Sequence, residues 1–262
     1  MRRVSVTIKD HVANVMLTRA DKMNAMDDHM IDAIIEAGAE VAASTARVVL
    51  LSGEGKSFCA GIDLGALSGM LGQDMEALIV PRSHGEGTTN RWQEVVMVWH
   101  RLEIPVVAAL QGAVYGAGMQ LALGADIRIA APDTKLAVME MKWGIIPDMG
   151  GYVLLPRLVR DDVMKQLIYT AEPVTATQAQ AWGLVTTVDD DPLSAAQDLV
   201  QKIAQKAPNA IRAAKRLCKL SRSSLPTDML MAEAETQAKL LGQPEQMEVV
   251  AAQFAGRAPV FK

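Results

Sequence analysis

Three polar side chains, Gln120, Glu140 and Asp148, sit among apolar residues and glycines, where polar groups are expensive unless they do something. The run MEMKWGIIPDMGG, residues 139–151, carries the two carboxylates. A carboxyl group in apolar surroundings resists ionisation, so its pKa rises and it can serve as a general base or acid near neutral pH. Taken alone, Glu140 reads more readily as a salt-bridged structural carboxylate. Gln120 lies in residues 104–130, IPVVAALQGAVYGAGMQLALGADIRIA, on an otherwise apolar stretch after a glycine-spaced turn. Its amide can donate and accept hydrogen bonds but cannot take up a proton at physiological pH.

Backbone donors are the second chemical resource. Gly112, Gly116 and Gly118 mark a sharp turn or a close approach, and the helix expected at 119–123 begins with N–H groups that have no partner inside it. Such groups suit an anion or a polarised carbonyl. The run GEGKSFCAGIDL, residues 53–64, offers a second set, because Cys59-Ala60-Gly61 follows a strand and leaves the backbone approachable. The glycine turn is not a dinucleotide fingerprint, since Leu121 stands where the third glycine belongs. There is no G-x-S-x-G, no H-E-x-x-H and no clustered cysteine and histidine spacing, so no metal site is expected. His11, His29, His84 and His100 are scattered, and Cys59 reads as a small buried filler.

The elements that must position these groups follow from periodicity. Residues 4–8 and 12–17 read as a hairpin, and Asp27 caps a helix to about residue 43 whose apolar face is Met30, Ile31, Ile34, Ile35, Gly38 and Val41. Buried strands are expected at 47–52 and 104–110, with short strands at 126–130, 136–139 and 185–188. Thr175 and Gln178 form a capping box for a helix that Gly183 stops. Residues 65–91, rich in Gly, Met and polar residues, have weak periodicity and are expected to be mobile and to shape a ligand pocket. From about Pro192 the pattern is helical only, at 194–206, 208–222 and 226–241. A division into residues 1–195 and 196–262 is expected.

Bulk properties narrow the class. The chain has 262 residues, half of them apolar, and can bury a large core. A net charge of -4 gives no broad basic field, so nucleic acid is not an expected partner. Two distant cysteines and no signal-like or membrane-length apolar run lead us to expect a cytoplasmic protein with no membrane association.

Taken in order, LTRADKMNAM, GKSFCAGIDL, GAVYGAGMQLALGADIRIA, GIIPDMGGYVLLPRLV and TAEPVTATQAQAWGLV resemble the crotonase superfamily, the enoyl-CoA hydratase/isomerase family, over nearly the whole chain. The resemblance implies an α/β fold, a crotonase-like spiral of ββα units with a C-terminal helical trimerisation domain, and a homotrimer or homohexamer. It implies an acyl-CoA thioester substrate, with coenzyme A arriving as part of that substrate and no permanently bound cofactor. The backbone N–H groups of Ile62 and Ala117 would form an oxyanion hole around the thioester carbonyl. Lys56, Ala60, Asp63, Leu64 and Gly116 would contact substrate or CoA, with 21–26 and 254–261 nearby, the latter from a neighbouring subunit. Gly65 stands where the family usually carries a basic residue. Family hydratases place glutamates at positions 120 and 140; here the first is Gln120. Dienoyl-CoA isomerases resemble this chain in having an acid at 148 with a glutamate at 140, although they carry aspartate at 120. The resemblance therefore favours isomerase chemistry, with Glu140 as base and Asp148 as acid. The alternatives are hydration by Glu140 with Gln120 in place of the second glutamate, and a non-catalytic crotonase-fold binding or scaffold protein.

Overall fold

The structure is a computed structural model that describes residues 3–70 and 72–261. Strands β1 (Val4–Lys9) and β2 (Val12–Leu17) pair antiparallel through Asp10 and His11, both at positive φ, the geometry of a tight two-residue hairpin turn. Helix α1 (Asp28–Ala42) starts where Asp27 accepts a hydrogen bond from the Met30 N–H, and it buries Met30, Ile31, Ile34, Ala37, Gly38 and Val41. Strand β3 (Val48–Gly53) follows, buried along nearly its whole length.

The segment expected to lack regular structure contains two short helices, α2 (Leu64–Gly69) and α3 (Met75–Ile79), capped by Asp63 and Asp74. Residue 71 of that segment lies outside the described residues. Helix α4 (Arg91–Arg101), which periodicity did not reveal, opens with a reciprocal capping box between Asn90 and Gln93. It packs on α1 so closely that a Cβ at Gly38 would lie 2.4 Å from Val98.

Three strand pairs then carry the chain around. Strand β4 (Val106–Leu110) leads through β5 (Ala113–Tyr115) into α5 (Ala117–Leu123). Strand β6 (Ile127–Ala130) leads through β7 (Lys135–Ala137) into a single 3-10 turn over Glu140–Trp143, so the expected strand at 136–139 ends early. Next come α6 (Gly151–Leu154), α7 (Asp161–Thr170), β8 (Val174–Thr175), α8 (Ala176–Ala181) and β9 (Thr187–Val188). Thr175 accepts from the Gln178 N–H, which is half of the expected box.

The strands form a six-stranded sheet in the order β1-β2-β3-β4-β6-β9, parallel except for the first pair, and a three-stranded sheet β5-β7-β8. Single bridges from Met26 to Ile62 and from Cys59 to Val114 continue the smaller sheet's pairing toward the N-terminus. Each turn of the chain thus gives one strand to the large sheet, one pairing to the small one and then a helix. This is the ββα spiral, built by repeating one supersecondary unit.

Helices α9 (Pro192–Ala204), α10 (Pro208–Leu220), α11 (Pro226–Leu240) and α12 (Pro244–Phe254) complete the chain, each opening on a proline that needs no N–H partner there. Sequence periodicity did not show α12. Ala196, Val200 and Ala204 of α9 cover the sheet face formed by Val12, Val48, Leu50, Val107 and Ile129. The all-helical region therefore begins with a helix that still belongs to the sheet.

A buried arginine ties the spiral's turns together. Arg128, 2 % exposed, donates to the carbonyls of Leu184 at 2.7 Å and Ala125 at 2.6 Å. Burial pushes its guanidinium down to about 10, so it stays charged at neutral pH. Arg128→Met would strand those carbonyls, and we expect urea unfolding to show a loss of about 2 kcal/mol or more.

Candidate active site

The cluster is centred on Gln120, in the first turns of α5 and 1 % exposed. Its amide Nε2 donates to Glu140 Oε1 at 2.6 Å. Its Oε1 accepts from the backbone N–H of Met149 at 2.8 Å and of Gly151 at 3.1 Å. The amide oxygen accepts twice and Nε2 donates once, so these contacts brace Gln120 between the two segments.

Glu140 opens the 3-10 turn after β7 and is 7 % exposed. Its Oε2 is buried and has no hydrogen-bond partner in the protein, which leaves that oxygen as a basic site. Burial raises its pKa, and the negative charge of Asp148 adds to the effect, while its own N–H and the Gln120 amide pull the other way. Asp148, half-buried between Pro147 and Met149, is raised too, also by burial. Two carboxyl groups that both resist ionisation are therefore held by one loop and one turn, and Gln120 touches each of those two pieces.

The backbone donors converge on the same place. Ile62 pairs with Met26 only through its neighbours: the Met26 N–H goes to the Gly61 carbonyl and the Asp63 N–H to the Met26 carbonyl. Ala117 is the first residue of α5 and has no preceding turn to bond to. Among the described residues neither the Ile62 nor the Ala117 N–H finds a carbonyl partner. A Cβ at Gly61 would meet the Tyr115 carbonyl at 2.8 Å and the Ala117 nitrogen at 3.7 Å, so the two backbones run side by side. At Gly118 a Cβ would come within 2.3 Å of the Cys59 carbonyl. That contact sets how near α5 can come to the 59–62 segment. Gly116, just before the helix, lies beside Glu140, whose Oε1 a Cβ there would approach to 3.6 Å.

The other expected substrate contacts separate. Leu64 and Lys56 are exposed, and Lys56 projects from the loop after β3. The Ala60 N–H is taken by the Met23 carbonyl at 2.9 Å. Asp63 is committed twice: it caps α2 through the Gly65 N–H, and it receives Arg19 Nη1 at 2.7 Å. That Arg19 hydrogen bond is the main reason its carboxyl lies below the usual range. A carboxylate so engaged organises the loop.

Arg19 and Asn24, not singled out from the sequence, supply that organisation. Arg19 also donates to the Ala25 carbonyl at 2.8 Å, and buried Asn24 donates to the carbonyls of Ser57 at 2.9 Å and Glu54 at 3.0 Å. The only advance signal was the Asn in the LTRADKMNAM run, a residue type that tolerates the positive φ found there. The Cys59 thiol donates to the Asn24 carbonyl, and burial pushes it up to about 12, as befits an inert filler.

The sequence profile of the enoyl-CoA hydratase/isomerase family matches residues 7–261. The chain belongs to the enoyl-CoA hydratase/isomerase family. It is 29% identical to the mitochondrial Delta(3,5)-Delta(2,4)-dienoyl-CoA isomerase of Dictyostelium discoideum over 96% of this chain and 87% of that protein. It is 30% identical to the (E)-benzylidenesuccinyl-CoA hydratase of Thauera aromatica over 84% of this chain and 83% of that protein. The solved enoyl-CoA hydratase of Bacillus anthracis superposes with a TM-score of 0.89 at 28% identity, covering 99% of both chains. The crotonase fold, with its C-terminal helices, is thus the architecture of this chain. Similar relatives include an isomerase and a hydratase, so family membership leaves the reaction open.

The approach of α5 to Cys59 is testable. Gly118→Ala would force the helix away from the 59–62 segment, and we expect about 1–3 kcal/mol lower stability in urea unfolding. Turnover of acyl-CoA substrate should fall at least tenfold if the position of Ala117 matters.

Proposed function

We propose that this chain moves a carbon–carbon double bond in an acyl-CoA thioester, with Glu140 as base and Asp148 as acid. The observation that carries this reading is the state of Gln120. Its carbonyl oxygen accepts from two backbone N–H groups and its Nε2 donates to Glu140, and a neutral amide cannot take up the proton that a second water-activating glutamate would take.

In the proposed cycle Glu140 Oε2 removes a proton from a carbon conjugated with, or able to conjugate with, the thioester. The electron pair moves onto the carbonyl oxygen, giving an enolate that accepts hydrogen bonds from the Ile62 and Ala117 N–H groups. One such preorganised donor contributes about 3 kcal/mol to the transition state in acyl-transfer enzymes. As the enolate collapses, the Asp148 carboxylic acid gives its proton to a different carbon. The cycle closes when Glu140 loses the proton it gained and Asp148 regains one. Burial pushes the Asp148 pKa upward, the direction an acid needs, and the open oxygen of Glu140 supports its role as base. CoA would lie along Lys56, Ala60 and Leu64 near the exposed mouth.

Hydration is the second reading, favoured by the likeness to the Thauera hydratase. Purified protein given 2-enoyl, 3-enoyl and 3,5-dienoyl thioesters in deuterated water distinguishes the two. We expect rearranged, deuterium-labelled products from the 3-enoyl or 3,5-dienoyl thioester, reduced at least a hundredfold by Glu140→Gln. Water addition to the 2-enoyl thioester as the dominant Glu140-dependent reaction would overturn the isomerase assignment. Gln120→Glu sharpens the contrast: it places a second carboxylate against Glu140, which drives one of the pair to higher pKa. We expect isomerisation at neutral pH to fall about tenfold and its acid limb to move upward, whereas a gain in hydration would favour the hydratase reading.

The buried base also carries a stability signature. Below the ordinary glutamate pKa of about 4.3, Glu140 is protonated in both folded and unfolded chains and its burial is cheap. Above its raised folded value it is ionised in both, and the folded state bears the desolvation cost. Glu140→Gln should therefore raise the thermal midpoint at pH 8, with the gain shrinking as pH falls through that interval.

We further infer a homotrimer or homohexamer. Trp143, Ile146 and Tyr152 are 46%, 54% and 48% exposed close to the catalytic loop, an apolar grouping that contact with another copy would cover. Among the described residues no helix is long and apolar enough to cross a membrane.

A further inference from the structure

A cavity of about 410 Å³ lies between α10, the end of α4 and the turn at residues 154–158. Neither the catalytic carboxylates nor Gln120, Ile62 or Ala117 line it, so it is separate from the site above. Its volume falls within the range of about 300–1,000 Å³ typical of small-molecule pockets. Part of its wall is aliphatic, formed by Leu123, Leu154, Leu158 and Ile211.

The charged side chains of the wall are mainly cationic. Arg157, Lys215, Lys219 and Arg222 line it together with His100, against a single carboxylate, Asp126. That carboxylate is already taken: Asp126 Oδ2 accepts from Lys215 Nζ and from the Val106 N–H, each at 2.7 Å. Lys219 reaches only the Leu102 carbonyl, at 3.4 Å, and Arg222 donates to the Arg157 carbonyl at 2.6 Å. Among the described residues no carboxylate pairs with Arg157, Lys219 or Arg222. Positive charge is therefore in excess, with Lys215 buried, Lys219 half-buried and Arg157 and Arg222 exposed.

The titration behaviour agrees with this crowding. Burial, and then the nearby Lys215 charge, bring Lys219 down to about 8. Burial, and then the charges of Lys219 and Arg157, bring His100 down to about 4, so the imidazole is neutral at physiological pH. A bound anion would relieve the repulsion among the three unpaired cations, and an apolar body attached to it would cover the aliphatic wall.

We propose that this cavity is a second ligand site, specific for an amphipathic carboxylate whose head group lies among Arg157, Lys219 and Arg222 and whose chain lies along Leu123, Leu154 and Leu158. Guanidinium groups suit a carboxylate because their paired N–H donors match its two oxygens. A bare phosphate would leave the aliphatic wall unused, and a neutral alcohol would leave the cations unpaired.

The test is calorimetric titration of the full chain with octanoate, alongside octanol and inorganic phosphate. We expect saturable octanoate binding that persists at a saturating concentration of a CoA thioester. The double variant Lys219→Gln, Arg222→Gln should weaken it at least tenfold. Ala214→Phe, at an exposed lining position of α10, should weaken it as much by filling the cavity while leaving every charge in place. Circular dichroism melts check that both variants fold. Equal binding of octanol, equal binding of phosphate, wild-type affinity in both variants, or displacement by the CoA thioester would each overturn the assignment. So would dissociation of an oligomer by the double variant without change in octanoate affinity, which would give the cavity to an acidic segment of a second copy.

Discussion

One side-chain amide ties together the two carboxyl groups of the proposed site. Gln120 accepts from the loop that carries Asp148 and donates to the turn that carries Glu140, so two carboxyl groups from different turns of the spiral are referred to a single point on α5. The amide suits this task because it is both donor and acceptor and stays neutral. A carboxylate at the same position could accept from Met149 and Gly151, yet it would face Glu140 as a like charge. The fold supplies the frame: β5 delivers α5, and β7 delivers the 3-10 turn, from adjacent strands of the small sheet.

The enclosure of Glu140 follows from the same frame. Burial dominates its pKa, and the hydrogen bond from Gln120 only partly offsets it. An ionised group placed there lowers stability, which a core of this size tolerates. The large sheet is covered on one face by α9, and the principal core is continuous through α1, α4, α5 and the strands between them. The two pieces of backbone that present Ile62 and Ala117 are fixed by contacts remote from any substrate. Arg19 and Asn24 bind the 19–26 loop to residues 54–63, and Cys59 packs under Gly118.

Much of this was legible in the residues. The Asp27 cap and the spacing of Met30, Ile31, Ile34 and Val41 give α1 nearly to its ends, and the prolines at 192, 208 and 226 mark three of the four C-terminal helices. Helix α4 was not read from the sequence, although Asn90 and Gln93 stand there as a cap and Val95, Val96 and Trp99 form its buried face. Helices α2 and α3 were hidden by their shortness, yet Asp63 and Asp74 stand at their starts. The order of the motifs pointed to the fold, and the sequence pointed to Gln120, Glu140 and Asp148 as the unusual polar residues. It did not show that Gln120 is closed at both ends, because that depends on how a helix, a turn and a loop separated by some twenty to thirty residues meet. Nor did it show Arg19, whose partner Asp63 is 44 residues away.

The two unpaired N–H groups at Ile62 and Ala117 have a consequence for how this protein records its history. A backbone donor survives a change of side chain other than to proline, although Ala117 is buried and Ile62 packs on the core. Constraint falls instead on Gly61 and Gly118, which touch nothing polar with a side chain of their own but keep the two strands of backbone within reach. The N–H groups proposed to meet a substrate thus come from the backbone, and the tightest limits on where they stand fall at positions with no side chain at all.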